Sequence, residues 1–212
     1  DHYRPAREAA VLRAAMQRNE ELGGLLPNES VARLMREIMS VCLALESPLT
    51  VAYLGPEGTY TQTAVHKHFG HAVDTRPRAT IDEIFREVES NNTAYGVVPV
   101  ENSTEGVVNH TLDRLAYTSL NICGEVWLPI HHHLLSHHAR LEDIRVVYAH
   151  AHSFGQCRQW LDSHVPQATC EPLPSNAVGA KRVAELNSGA AIAGQSAAEL
   201  YGLPVLAANI ED

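Results

Sequence analysis

No stretch of this chain stays apolar for the roughly 18–20 consecutive residues that a bilayer crossing requires, so no membrane partner is expected of its 212 residues. No signal-peptide pattern opens it, and its first residue is Asp rather than Met. The expectation is a cytoplasmic chain that is a piece of a longer protein. Its four cysteines, Cys42, Cys123, Cys157 and Cys170, contain no CxxC pair, which favours reduced, buried thiols over disulfides or a zinc site. Positive charge is scarce: 16 Lys and Arg stand against 25 Asp and Glu, for a net charge of −9. Nucleic acid is therefore not an expected partner. A small anion remains compatible, because a helix N-terminus and a few Arg can hold one even on an acidic protein. Internal repeats and low-complexity segments are also missing.

What is present is an ordinary globular composition, 45% apolar and 19% charged, in a chain long enough for one or two domains with a true core. The first part, to about Ser47, reads as two helices. One runs from Pro5 to about Glu20. The other is capped by Asn28 and carries Val31, Leu34, Met35, Ile38, Met39, Cys42 and Leu45 at helical spacing. Two such helices cannot close a core by themselves and call for a partner surface. After Ser47-Pro48 the texture changes to strands alternating with helices. Expected strands are Val51–Leu54, Ala94–Val100, Arg145–Tyr148, Ala190–Ala193 and Val205–Ala207, with another near Thr169. Expected helices are Thr80–Ser90 behind a Thr80/Glu83 capping box, Val107–Tyr117, Ser153–Ser163, a helix from the Ser175 cap to Leu186, and Gln195–Tyr201. Ile122–Leu135 reads as extended. That alternation predicts an α/β fold with a mostly parallel sheet.

Three strand-to-helix junctions carry polar side chains. In Gly96-Val-Val-Pro-Val-Glu101-Asn102-Ser103-Thr104-Glu-Gly106 an apolar strand runs into a carboxylate, an amide and two hydroxyls, the way α/β proteins mount a polar site at a strand's carboxyl end. A solvated loop in which Ser103 or Thr104 caps the next helix is the plainer alternative. Gly55-Pro-Glu-Gly58-Thr59-Tyr60-Thr61 is either an anion-binding turn at a helix start or an ordinary β–α turn capped by Thr. Tyr148-Ala149-His150-Ala151-His152-Ser153-Phe-Gly-Gln156-Cys157 is the third junction. There Gln156 can reach a cleft, or Ser153 can simply cap the helix. The many histidines invite a metal reading, but His131 and His133 alternate with His132 across a strand and no carboxylate matches their spacing. No metal is expected. Arg7 and Glu8 read as a solvated helix face.

Taken together, the blocks Leu54-Gly-Pro-Glu-Gly-Thr-Tyr-Thr61, Gly96–Gly106 and Tyr201-Gly-Leu … Asn209-Ile-Glu-Asp212 resemble the prephenate dehydratase family over residues 50–212. The preceding segment, 1–47, is similar to the later helices of a chorismate mutase domain, which many bacteria fuse ahead of the dehydratase. The resemblance implies a two-lobed α/β dehydratase built like periplasmic binding proteins. Lobe 1 would take about 50–127 and the C-terminal end, and lobe 2 about 128–203. The substrate would be prephenate, converted to phenylpyruvate with loss of carbon dioxide and water; a complete mutase domain would make it from chorismate. No cofactor is implied, and a homodimer is. Residue by residue, the resemblance makes Glu101, Asn102 and Gln156 catalytic. It sets Thr59, Tyr60, Ser103, Thr104, Ala149, His150 and Ser153 around the substrate, and it leaves Arg7, Glu8 and Glu46 as remnants of the mutase site. The chain departs from the family in having Ala149 and His152 where a Ser and a Gln are usual, and in ending before an expected Thr-Arg-Phe motif. The first mutase helix is likewise missing, so weak or no turnover is expected of these residues alone. A ligand-binding module of the same fold is the alternative.

Overall fold

Helix formation begins at once: α1 (Pro5–Glu21) and α2 (Asn28–Glu46) pack on each other across a turn containing Gly23 and Gly24. The computed structural model describes residues 5–102 and 106–212. The N-cap of α2 is Pro27, and no side chain caps it. Asn28 lies inside the helix instead and ties the inter-helix turn together, bonded to Asn19 at 3.1 Å and to Glu20. The described chain divides into two compact units, one comprising residues up to Leu54 with Ala64–Trp127, the other Gly55–Thr63 with Leu128–Asp212.

In the first unit, β1 (Thr50–Leu54) leads to α3 (Tyr60–Phe69), whose residues from Ala64 belong here. β2 (Asp74–Arg78), α4 (Ile81–Glu89) and β3 (Tyr95–Val97) follow. The three strands form a parallel sheet in the order β2-β1-β3, with Val51 facing both Thr75 and Tyr95. Val51, Tyr53, Val65 and Phe69 make its core. At the start of α4, Thr80 Oγ1 accepts the Glu83 amide at 3.2 Å, while the Glu83 carboxylate takes the Ala79 amide rather than that of Thr80. A short antiparallel pair, β4 (Glu101–Asn102) and β5 (Gly106–Val107), precedes α5 (Asn109–Tyr117). α2 is joined to this unit by Glu37, whose carboxylate takes both the amide and the ring nitrogen of His71, and by the Ser40 hydroxyl, which accepts the Ala72 amide.

The second unit contains β6 (His133–Leu135), β7 (Val146–Ala149), α6 (Ala151–Gln156), α7 (Arg158–His164) and β8 (Thr169–Pro172). α8 (Asn176–Leu186), β9 (Ala190–Ala193), α9 (Gln195–Tyr201) and β10 (Val205–Ala207) complete it. Its five strands run in the order β10-β6-β9-β7-β8; β7 is parallel to β8 and β9, while β6 is antiparallel to β9 and β10. Central β9 is buried on both faces, which is why it reads as an unbroken apolar run. Ala190 and Ile192 join Leu134, Val147 and Ile210 on one side; Ala191 and Ala193 join Leu135, Tyr148 and Val183 on the other.

The α/β class stands as read. Several expectations need correction. The helix expected over 153–163 is two helices broken at Cys157, and its cap is His150, not Ser153: the imidazole accepts the His152 amide. Only His133–Leu135 of the expected extended run is a strand. The segment after residue 203, assigned to the first lobe from sequence, lies in the second unit, where β10 pairs with β6 and Ile210 enters the core.

Candidate functional site

The β1–α3 turn is built around Gly58. Its φ of +81° is one that side-chain-bearing residues avoid, and a Cβ there would sit 3.2 Å from Leu200 Cδ2. The Gly58 amide donates to Gln62 Oε1 at 2.7 Å, and Thr59 Oγ1 donates to the Pro56 carbonyl at 3.0 Å, closing the turn on itself. Thr63 Oγ1 donates to Ser196 Oγ at 3.0 Å and so ties the start of α3 to α9.

Tyr60 then points its hydroxyl inward. Oη donates to the His131 carbonyl at 2.8 Å and lies 3.0 Å from His132 Nδ1. The other nitrogen of the same ring, Nε2, is 2.7 Å from Gln156 Oε1. Tyr60 and Gln156, read from two different junctions, are thus joined through a histidine that carries only 3% of its surface to solvent. The tail of the chain braces this arrangement. Glu211 takes the His132 amide at 2.8 Å and pairs with His131 Nδ1 at 2.7 Å. The Ile210 amide donates to the His132 carbonyl, and the Asp212 amide to that of Gln156. The Asp212 carboxylate accepts the Gln159 and Trp160 amides at the start of α7.

Burial, with Glu211 and Cys157 as negative neighbours, pushes the Tyr60 phenol far up, so the hydroxyl keeps its proton. Burial, with Glu211 and Asp212 beside it, pushes the Cys157 thiol up to about 12, which makes it an unreactive core thiol. For Glu211 burial pulls upward, but the bonds from His131 and the His132 amide outweigh it, and the carboxyl lies below its usual range. His133 is lowered by burial and accepts the Asn209 amide at Nδ1, as a neutral ring can.

At the third junction Asn176 is the organiser. Its Oδ1 accepts the His150 amide and its Nδ2 donates to Ser153 Oγ, each at 2.8 Å. Ser153 is buried, and Ala149 is fully buried with its carbonyl taken by the Leu173 amide. Ala149 therefore presents no side chain to solvent in this structure.

Glu101 and Asn102 belong to the first unit, Glu101 exposed and Asn102 half-buried. The strand before them is pinned by Thr111, whose fully buried hydroxyl donates to the Pro99 carbonyl at 2.7 Å, and by the Val108 amide on the Val100 carbonyl. Ser103 and Thr104 lie outside the described residues. Arg7 is exposed on α1; Glu8 is half-buried, its carboxyl pushed up by burial and drawn back by Arg36. Glu46 is exposed at the end of α2. Among the described residues no three His, Cys, Asp or Glu side chains gather as a metal site would need, and no helix is long and apolar enough to cross a membrane.

His132, Asn176 and Glu211 were not picked out from sequence. One signal was available for the first: period-two alternation from buried Leu134 puts His132 on the inward face, apart from its two histidine neighbours.

The model of the prephenate dehydratase family matches residues 51–212. A bifunctional chorismate mutase/prephenate dehydratase of Stutzerimonas stutzeri is 57% identical over 211 residues, covering 99% of this chain and 57% of that protein. Its counterpart in Pseudomonas aeruginosa is 58% identical, again with 99% of this chain and 57% of the relative covered. Among solved structures, the prephenate dehydratase of Arthrobacter aurescens in complex with L-Phe matches with a TM-score of 0.70 at 34% identity, covering 77% of this chain and 56% of that one. The chain thus spans little more than half the length of these relatives.

Proposed function

The chain belongs to the prephenate dehydratase family, and from that premise we propose that it carries the dehydratase part of an enzyme converting prephenate to phenylpyruvate in phenylalanine biosynthesis. The observation that carries the reading is the family match across residues 51–212. In the reaction the ring C–C bond to the carboxylate breaks, and its electron pair flows into the ring. The C–O bond to the ring hydroxyl breaks, and the leaving oxygen takes a proton to depart as water. Aromatisation drives the step, so the protein's task is to hold a dianion, orient it and deliver one proton. Proton delivery by a placed group contributes ~10²–10⁴ in rate, and orientation contributes further.

In this reading Asn102 and Gln156 bind substrate oxygens, while Glu101 orients the site or tunes the proton donor. Thr59, Tyr60, Ser103, Thr104, Ala149, His150 and Ser153 surround the substrate in the same reading. Support for Gln156 comes from its surroundings: its carbonyl is occupied by His132, and among the described residues no protein group takes its amide nitrogen. Residues 1–47 would be the later helices of a fused chorismate mutase, with Arg7, Glu8 and Glu46 as part of its site, and 50–212 the dehydratase. We also assign a homodimer, for which the exposed apolar face of α2 is a physical motive, and a cytoplasmic location, in keeping with four free cysteines. No cofactor is invoked.

The test is a phenylpyruvate assay on this chain beside a form that continues past Asp212. Product from either, lost by orders of magnitude in Asn102→Ala with the circular dichroism spectrum intact, is the expected result. Near-normal turnover in Asn102→Ala removes that residue from the site. Tight prephenate binding without product from either form would replace the lyase by a binding module, the reading that the buried, apolar Ala149 favours.

A further inference from the structure

We propose that Tyr60 and His132 are positioning residues that hold the Gln156 side chain with its carbonyl inward and its amide nitrogen outward, making it a hydrogen-bond donor that selects acceptor-rich anions. For the identity of the ligand this rests on the reading above; the geometry of the three side chains does not.

The argument is one of donors and acceptors. Gln156 Oε1 can only accept, so the 2.7 Å contact with His132 Nε2 requires a proton on that nitrogen. That condition is met whether or not Nδ1 also carries one. Tyr60 Oη, 3.0 Å from Nδ1, has one proton to give: a neutral ring with Nε2–H takes that proton at Nδ1, and only a ring protonated at both nitrogens leaves it for the His131 carbonyl. Tyr60 is itself fixed at two points. Its hydroxyl oxygen sits 2.8 Å from the His131 carbonyl and 3.0 Å from His132 Nδ1. Its ring lies so close to Gly194 that a Cβ there would come within 2.7 Å of Cε1. The backbone on both sides of the imidazole is held as well, by Glu211 on the His132 amide and Ile210 on the His132 carbonyl. The imidazole thus has no freedom to turn, and the amide of Gln156 inherits its orientation. With Oε1 engaged, the half-buried NH₂ is what remains to meet a ligand, and it suits a carboxylate or keto oxygen. A group that only donates would find no acceptor there.

Three measurements test this. The first needs no ligand: ¹⁵N spectra of histidine-labelled chain, with the His132 signals assigned by their loss in His132→Asn. Nε2 in the protonated range is expected; an unprotonated Nε2 overturns the proposal. The second is a cycle read by the dissociation constant for prephenate. Tyr60→Phe keeps the ring and removes only the hydroxyl. It is expected to weaken binding roughly tenfold in the wild-type background, the scale of a hydrogen bond to a charged group, and less than twofold beside Gln156→Ala. Equal losses in both backgrounds would make Tyr60 a direct ligand contact or a fold element, and the proposal fails. The third is Gln156→Glu, which keeps the acceptor for His132 but turns a carboxylate toward the ligand. Binding should fall further than in Gln156→Ala, and retained binding overturns the donor role. If the wild-type chain binds no prephenate at all, the functional reading fails, and the ¹⁵N result still decides the positioning of Gln156.

Discussion

Glu211 concentrates three roles on one carboxylate: it orients His131, holds the His132 backbone and keeps the tail against the Tyr60–His132–Gln156 row. Its carboxyl is lowered in the folded chain from an ordinary 4.5 because the bonds it accepts outweigh the effect of burial. A lowered carboxyl contributes stability that is fully present above the unfolded value and is lost as pH falls through the folded one. Glu211→Gln should therefore unfold at a lower temperature than the wild type at pH 7. The gap should shrink as the pH is taken from about 5 downward, where the wild-type carboxyl also loses its charge. Calorimetric melting of the two proteins across that range checks it; a gap that persists undiminished at low pH would assign the role to shape rather than charge. Gly58 permits a second forecast at the same scale. Alanine there must adopt the +81° φ and press on Leu200 and Ala197. Gly58→Ala should cost about 1–2 kcal/mol from the backbone alone, read by urea denaturation, and the turn carrying Thr59 and Tyr60 should shift with it.

The paired strands β4 and β5 are too short to hold themselves, with two residues each. What fixes Glu101 and Asn102 is the element behind them, α5, through the buried Thr111 hydroxyl on the Pro99 carbonyl. Thr111→Val preserves shape and removes that donor, so the half-buried Pro99 carbonyl loses its bond, at a cost of about 0.5–1.5 kcal/mol. Turnover should drop more than the stability loss explains, because the Glu101–Asn102 arm loses its anchor. Kinetics at a temperature where the variant is fully folded would show it, and unchanged turnover would mean the arm is held otherwise. Elements with strong local signals were legible from the chain alone. α8 begins at Ser175, whose hydroxyl accepts the Val178 amide, and ends at Asn187 in the left-handed region. β9 is apolar throughout. By contrast β2 was not found: it carries Asp74, Arg76, Pro77 and Arg78, and it persists because it is an edge strand whose free side needs no proline N–H. The site was legible in part for the same kind of reason. Gln156 lay in a junction and could be read, but His132 was hidden in a histidine run, and its meaning comes from partners at positions 60, 156 and 211, which no local pattern announces.

At the scale of the molecule, one helix face among the described residues carries an apolar stripe in the open. Leu34, Ile38, Val41 and Leu45 recur at helical spacing along α2 and are 53%, 57%, 51% and 85% exposed. Leu22, Leu25 and Leu26 in the adjoining turn extend the same apolar character. A monomer rarely leaves so much contiguous apolar surface in water, and a stable interface needs about 1,200–2,000 Å² in total, more than a single stripe of four side chains supplies. The chain should therefore self-associate through α2 with the leucines around residue 25 included, in a concentration-dependent way. Salt separates this from a charge-driven contact. Two copies each carrying −9 repel one another, and screening that repulsion strengthens an apolar interface while it weakens an ion-paired one. Sedimentation at rising chloride should show tighter association. Ile38→Glu combined with Leu45→Glu should give a monomer of unchanged helical content, since both positions are exposed in the single chain. Association that weakens with salt, or survives the double substitution, would place the contact elsewhere and leave the α2 face without a partner.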